Sequence, residues 1–164
     1  MTRTPYLVLA VAPILAALLL AVPLAADALR LAPVKDSVVA KECSACHMLY
    51  PAGLLPARSW SAIIAELANH FGDNAELDAT TAQRVADYLA AKAADGVGIS
   101  SKVLRGLDPA FVPKRITELP WWIRKHEKKG RVGAAELARK GAKFKGDCKA
   151  CHADAERGIF DDDE

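Results

Sequence analysis

Two copies of the motif Cys-x-x-Cys-His constrain this chain more than any other feature. The copies are Cys43-Ser-Ala-Cys46-His47 and Cys148-Lys-Ala-Cys151-His152, and they contain all four cysteines and two of the four histidines. Two thiols at this spacing can each form a thioether with a vinyl group of one haem, and the histidine that follows can bind the iron from one side. The motifs therefore predict two covalently attached haem c groups, with His47 and His152 as iron ligands.

Other uses of paired cysteines fit the pattern less well. A thioredoxin-type redox pair or a disulfide would normally follow a strand in a βαβ unit, and nothing before Cys43 resembles one. A zinc ribbon would need the two pairs much closer together in the sequence. Neither alternative explains why a histidine follows both pairs directly. The sequence therefore indicates a dihaem c-type cytochrome.

The N-terminus has the pattern of a secretory signal peptide. Arg3 is followed by an uncharged run from Thr4 to Ala26, and Ala26-Asp27-Ala28 offers a small-residue cleavage site. We expect residues 1–28 to be removed and the mature protein to be soluble in the periplasm. The alternative is an uncleaved membrane anchor, because the uncharged run is long enough to cross a bilayer. Pro13 and Pro23 favour cleavage.

Charge is unevenly distributed along the second half of the chain. Residues 114–149 contain 12 Lys and Arg against 4 Asp and Glu, a net of +8, whereas residues 150–164 contain one Arg against six acids, a net of −5. These charges can neutralise each other and the haem propionates, or the basic segment can form a docking surface for an acidic partner. Aromatic residues are not interleaved with the basic ones, so we expect no nucleic-acid binding.

Helical spacing of apolar residues predicts three helices in the first half. The first starts at Asp36 or Ser37 and leads into the first Cys-x-x-Cys-His motif. The second is capped by Ser59 and runs to Phe71, and the third is capped by Asp78 and ends near Ala94.

The second half predicts two more helices. One starts near Thr117 with Pro120 in its first turn, and the other starts near Ala134 and leads into the second motif, interrupted by Gly141 and Gly146. No segment reads convincingly as a strand, so the predicted fold class is all-α. We divide the mature chain into an N-terminal haem domain (29–95), a linker (96–113) and a C-terminal haem domain (114–164).

The low aromatic content makes haem part of the predicted core. Only 6% of the residues are Phe, Trp or Tyr. Two porphyrins would supply the missing apolar volume, so we predict that the chain without haem is largely unfolded.

Each haem iron needs a second axial ligand, and histidine is the better candidate. Met48 is the only methionine after the predicted signal peptide, and it directly follows His47, from where it cannot reach the opposite side of the same ring. The two remaining histidines are His70 and His126. We therefore predict bis-histidine coordination at both haems.

Both histidines fall on apolar helix faces. His70 comes three residues after Leu67, and His126 comes four after Trp122. His70 can close the haem of His47, and His126 that of His152, but the sequence also allows the crossed pairing.

The chain also resembles the small dihaem cytochrome c family of bacterial respiratory chains. The resemblance is carried by the runs Lys41 to His47, Tyr50-Pro51-Ala52-Gly53-Leu54-Leu55-Pro56-Ala57-Arg58-Ser59-Trp60, Asn69-His70-Phe71-Gly72-Asp73-Asn74-Ala75, Arg124-Lys125-His126 and Cys148 to His152. It implies an N-terminal domain similar to class I cytochrome c and a less regular helical C-terminal haem domain. It also implies low-spin haems, with His70 and His126 as distal ligands.

The resemblance further implies partners and a role. Members carry electrons between a membrane cytochrome b and another soluble c-type haem protein. Two irons with histidine on both sides leave no open site, so we expect a low-potential electron carrier and not an enzyme. We also expect the protein to be a monomer. The alternatives are a dihaem peroxidase or gas-binding protein with one open iron, and a haem-stabilised scaffold without redox function.

Overall fold

The structure of the protein is a computed structural model, and it describes residues 29–96, 102–127 and 132–160. Five α-helices occur in these ranges: α1 Ser37–Cys43, α2 Ala57–Ile64, α3 Ala79–Ala91, α4 Pro120–His126 and α5 Ala134–Lys140. Short 3-10 turns lie at Ala52–Leu54, Leu67–Asn69, Ile116–Glu118, Cys148–Ala150 and Ala155–Arg157. The predicted signal peptide, the start of the predicted linker and the acidic C-terminus lie outside the described residues. Within those residues, no helix has the length and apolar character needed to cross a membrane.

Aspartate side chains start two of the helices, as the sequence predicts. Asp36 accepts hydrogen bonds from the backbone N–H groups of Val38 and Val39, at 2.9 and 3.1 Å. Asp78 accepts from the N–H of Thr81 at 3.0 Å. Each carboxylate satisfies N–H groups that have no partner inside the helix, and the bonds to Val39 and Val38, with Arg84 nearby, lower the pKa of Asp36.

The second helix differs from its prediction at both ends. It starts at Ala57 after Pro56, so the predicted cap Ser59 lies inside the helix and is fully buried. It ends at Ile64 instead of reaching Phe71, because the chain tightens into the 3-10 turn Leu67–Asn69.

Both helices of the second half differ from their predictions, one at its start and the other at its end. The helix expected near Thr117 begins at Pro120, after a separate 3-10 turn and with Leu119 at the cap position. Pro120 occupies the first helical position, where its missing N–H is not needed, as predicted. The last helix stops at Gly141, which adopts a left-handed φ of 67°, so α5 does not continue into the second motif.

A short antiparallel strand pair corrects the prediction that the chain has no strand. β1 (Leu29–Arg30) pairs with β2 (Ile159–Phe160), with Leu29 opposite Phe160. The N–H of Leu31 extends the ladder by donating to the Gly158 carbonyl at 2.8 Å. Two-residue strands are too short to produce an alternating pattern, so the sequence carries no signal for them. The fold is predominantly helical but not purely α.

The buried apolar residues of the described ranges form one cluster. α2 packs on α3, and the cluster extends from Leu29 through Val39 and Val85 to Val103 and Trp122. Val103 is fully buried although it falls in the predicted linker 96–113. The core therefore continues across the predicted division of the chain, and the domain boundaries stay a prediction.

Candidate haem-binding sites

The first site is built from the turn after α1 and the turn after the Leu67–Asn69 segment. The imidazole of His47 lies with its ring centre 6.3 Å from that of His70, and the two ring planes differ by 27°. Nδ1 of His47 is 2.7 Å from the carbonyl oxygen of Met48. A carbonyl only accepts, so the proton is on Nδ1 and the Nε2 atom carries the lone pair that binds metals.

His70 reaches this position from a turn, and its predicted place on a helix face is wrong. The His70 N–H donates to the Asp73 carbonyl at 2.7 Å, and the Asp73 N–H donates back at 3.1 Å. Phe71 and Gly72, both with positive φ, form the bend between them. Burial lowers the pKa of His70, and the neighbouring His47 lowers it further, which favours the neutral imidazole.

Aromatic and cationic groups cover one edge of the first site. The ring of Phe71 meets His70 edge-on, with centres 4.8 Å apart. The guanidinium of Arg115 lies 4.4 Å from the centre of the Phe71 ring, within cation–π range. Phe71 is 48% exposed, which is high for a large apolar side chain.

The second site brings the end of α4 against the second motif. His126 is the last residue of α4, and its ring centre is 6.2 Å from that of His152, with planes 83° apart. Nδ1 of His126 donates to the Trp122 carbonyl at 2.9 Å. Trp122 also stacks on His126, with ring centres 4.4 Å apart and planes 11° apart. Phe160, in β2, lies edge-on to His152 at 5.8 Å.

A cavity opens beside the second histidine pair. Its empty volume, including the open mouth, is about 840 Å³. Cys148, Cys151, His126 and His152 all line it. Leu29 and Leu54 line it too, so the first half of the chain contributes to the second site.

The separation of each histidine pair fits one iron between the two rings. An imidazole nitrogen lies about 2.0 Å from a bound metal and the ring centre about 1.1 Å further, so two opposed rings have centres about 6.2 Å apart. The pairs His47–His70 and His126–His152 have 6.3 and 6.2 Å. The structure thus brings together the histidines of the same segment and not the crossed pairs.

Two of the four cysteines lack the lowered thiol pKa of a redox-active pair. All four lie in the described ranges, and each is a free thiol. Burial raises the pKa of Cys43, and it raises the pKa of Cys148 to about 11, whereas redox-active pairs lower the pKa of the attacking thiol. Within the described ranges, no group of three or more His, Cys, Asp or Glu side chains is placed to hold a metal ion.

Tyr50 connects the two sites and was not singled out as a site residue by the sequence analysis. Its ring centre is 4.9 Å from that of His47, and its hydroxyl donates to the Gly146 carbonyl at 2.8 Å. The same carbonyl accepts the backbone N–H of Cys148 at 2.8 Å. Burial raises the pKa of Tyr50, so the phenol stays a donor. The sequence signals for Tyr50 were its position just after the first motif and its place at the start of a run that carries the family resemblance.

Comparison with known proteins agrees with this geometry. Residues 39–160 match the profile of the family described as dihaem cytochrome c. The chain belongs to the dihaem cytochrome c family. It therefore carries two covalently attached haem c groups, and the Cys-x-x-Cys spacings of Cys43 and Cys46 and of Cys148 and Cys151 fit this.

Solved structures of family members are similar to the chain. A diheme cytochrome c from Rhodobacter sphaeroides is 47% identical, with a TM-score of 0.70, and the match covers 79% of this chain and 99% of that one. A diheme cytochrome type c from Shewanella baltica OS155 is 39% identical, with a TM-score of 0.59, covering 76% and 86%. No curated protein sequence matches the chain.

Proposed function

We propose that this dihaem cytochrome c is an exported electron carrier with two low-potential, bis-histidine haems. Membership of the family supports electron transfer in general. The two opposed histidine pairs, with ring centres 6.3 and 6.2 Å apart, are the observation that carries the more specific proposal.

Haem, when bound, supplies one-electron redox chemistry at its iron. The protein's part is to hold four imidazoles in one protonation state and orientation. The carbonyls of Met48 and Trp122 fix the Nδ1 protons of His47 and His126. A ligand that already donates through its second nitrogen is more basic, which favours the ferric state. Histidine in place of methionine acts in the same direction, so both potentials should be low for c-type cytochromes.

Tyr50 supports electron exchange between the two sites. Its ring contacts the first histidine pair, and its hydroxyl binds the carbonyl that also holds the Cys148 backbone. One side chain therefore fixes the position of the first site relative to the second attachment segment. A fixed, short separation is what a two-centre carrier needs.

The proposed partners are a membrane cytochrome b and another soluble c-type haem protein, which follow from the family resemblance. The basic segment 114–149 offers a contact surface for such a partner, but several of its cations already have acidic partners. Lys114 pairs with Glu66, and Lys145 pairs with Glu127 at 2.6 Å. Local neutralisation therefore accounts for part of the charge. Reduction of the purified protein by quinol-treated membranes that contain cytochrome b would test the donor, and no reduction would exclude it.

The periplasmic location rests on residues 1–28, with Arg3, the uncharged run and Ala26-Asp27-Ala28. The intact mass of protein recovered from the periplasmic fraction tests it. A mass that lacks the first 28 residues and includes two haems is expected. Recovery of the full-length chain in the membrane fraction would favour the anchor instead.

Electron paramagnetic resonance with a redox titration tests the proposed coordination. We expect two low-spin ferric haems, no high-spin haem, and two low potentials. Carbon monoxide should not bind the reduced protein without denaturant. A high-spin signal, or carbon monoxide binding at either haem, would instead favour a peroxidase or gas-binding protein with one open iron.

A further inference from the structure

The two histidine pairs differ in one respect, the angle between their rings. In the first site the imidazole planes of His47 and His70 differ by 27°. In the second site those of His126 and His152 differ by 83° and are close to perpendicular. The ring separations are almost equal, so the angle is the feature that distinguishes the sites.

Trp122 is placed to set this angle at the second site. Its indole lies parallel to the His126 imidazole, with planes 11° apart and centres 4.4 Å apart. Its carbonyl also accepts the Nδ1 proton of His126, so the same residue holds the ring from its face and from its edge. The Trp122 side chain is only 3% exposed and belongs to the hydrophobic core, which prevents it from rotating away.

The neighbouring tryptophan does not have this role. Trp121 lies edge-on to His126, with planes 73° apart and ring centres 6.5 Å apart. It lines the same cavity as Trp122. Trp121 is therefore a matched control on the same helix.

The angle between axial imidazoles determines the electronic structure of low-spin ferric haem. Each imidazole π system interacts with one of two iron orbitals. Nearly parallel rings act on the same orbital and separate the two energies, which gives a rhombic resonance spectrum. Perpendicular rings act on different orbitals and leave the energies close, which gives a highly anisotropic spectrum with a low-field line.

We propose that Trp122 is a positioning residue that holds His126 perpendicular to His152 and so makes the two haems electronically different. The first haem gives the rhombic signal, and the second gives the highly anisotropic one. Residues around a ligand commonly orient it and tune the metal. This inference rests on the proposed bis-histidine coordination. It goes beyond that proposal by naming Trp122 as the residue that makes the haems different and the second haem as the place where it acts.

The first measurement is the resonance spectrum of the oxidised dihaem protein. One rhombic and one highly anisotropic low-spin signal are expected, and the signal that survives in His70→Ala belongs to the second haem. Two rhombic signals would overturn the role of Trp122 and leave the bis-histidine proposal intact. A high-spin signal in the unmodified protein would overturn both.

The second measurement compares three variants of the dihaem protein. Trp122→Leu keeps apolar volume but removes the stacking face, so the low-field line should shift toward the rhombic position while the first haem's signal stays unchanged. Trp122→Phe keeps an aromatic face and should restore most of the original signal, whereas a shift as large as that of Trp122→Leu would overturn the role of the stacking face. Trp121→Leu should shift the low-field line less than Trp122→Leu does, because Trp121 meets His126 only edge-on, with ring centres 6.5 Å apart. An unchanged low-field line in both Trp122 variants, or an equal shift in Trp121→Leu, would overturn the proposal.

Discussion

Hydrogen bonding at single histidines determines which nitrogen can face the iron. In His47 and His126 the Nδ1 atom donates to a backbone carbonyl, so Nε2 is the atom that would bind iron in the proposed coordination. The two carbonyls belong to Met48 and Trp122, which are close in sequence to their histidines. A hydrogen bond to a carbonyl nearby in sequence therefore fixes the tautomer of one histidine in each pair.

Replacing His70 with Ala should open one iron and leave the other closed. His70 faces His47 at 6.3 Å, whereas the second pair has its own partner in His126. We expect the reduced variant to bind one carbon monoxide per protein, with the second haem still low-spin. Carbon monoxide titration followed by absorbance gives the stoichiometry. If the opened haem is the one attached to Cys148 and Cys151, the pairing is crossed and the geometry described above is wrong.

Replacing Tyr50 with Phe should weaken the link between the sites. The ring contact with His47 is retained, but the hydrogen bond to the Gly146 carbonyl is lost. A lost hydrogen bond of this kind costs about 0.5–1.5 kcal/mol in the free energy of unfolding, measured by denaturant titration of the dihaem protein.

Tyr88→Phe is the control for this change. The Tyr88 hydroxyl accepts from the exposed Lys35 N–H at 3.1 Å and lies on α3. We expect a smaller loss of stability because water can replace that bond. Equal losses in both variants would show that Tyr50 has no special role between the sites.

At the scale of elements, the β1–β2 pair depends on a glycine at its edge. Gly158 has a φ of 77°, and a Cβ there would lie 2.0 Å from the Leu31 carbonyl oxygen. The Leu31 N–H donates to the Gly158 carbonyl, so the two backbones must stay close. Leu29 and Phe160, opposite each other in this pair, both line the second haem cavity.

Gly158→Ala should therefore destabilise the protein more than a Gly→Ala substitution at another position with a similar positive φ. The left-handed conformation costs about 1–2 kcal/mol for a residue with a Cβ, and the overlap with Leu31 adds to it. We expect a loss above about 2 kcal/mol in the free energy of unfolding and easier loss of the second haem's low-spin spectrum on heating.

Gly141→Ala provides the comparison. Gly141 has a φ of 67°, and a Cβ there would have no atom within 4 Å, so only the backbone cost of about 1 kcal/mol applies. Chemical denaturation of the two variants side by side checks the difference. Similar losses would mean that the β1–β2 contact contributes little.

Elements that depend on neighbouring residues could be predicted from the sequence, whereas elements that depend on tertiary contacts could not. Asp36 and Asp78 as caps and Pro120 in the first turn of a helix follow from neighbouring residues and were confirmed, whereas α5 ends at Gly141 although the prediction carried it, with interruptions, into the second motif. The shortened α2 was missed because Ile63, Leu67 and Phe71 keep helical spacing although the chain leaves the helix after Ile64. The β1–β2 pair was missed because its two strands meet only in the folded chain.

The sequence predicted which residues form the candidate sites but not how these residues are arranged in space. The motifs and the histidine count identified all eight residues, and their roles as attachment residues and ligands stay predictions for direct test. The sequence could not decide between own-segment and crossed pairing, because that depends on how turns far apart in sequence pack. The positions of Tyr50 and Trp122 beside the imidazoles likewise depend on tertiary contacts.

At the scale of the whole molecule, the second haem should stabilise the first half of the chain as well. Leu29 and Leu54 line the second cavity, and both belong to the same buried cluster as Trp122. The double variant Cys148→Ala, Cys151→Ala should prevent covalent attachment there and lower the melting temperature of the first haem's low-spin spectrum and of the helical circular dichroism together.

The corresponding Cys43→Ala, Cys46→Ala variant is the reciprocal control, and we expect a shared melting transition in it too. A chain with neither pair of cysteines should be largely unfolded, because few aromatic side chains remain to fill the core. If the first half melts at its original temperature without the second haem, the two halves are independent domains and the continuous core has little energetic effect.

Pairing of β1 with β2 also sets an order of events for the newly made chain. Leu29 is synthesised near the beginning and Phe160 near the end, yet the two lie opposite each other. At ordinary translation rates the ribosome needs on the order of ten seconds to make the chain between them. During that interval Leu29–Leu31 have no strand partner, and the second pocket lacks one wall. Because the chain without haem is expected to be largely unfolded, the β1 segment should stay open to protease in the haem-free polypeptide and become protected only in the dihaem protein.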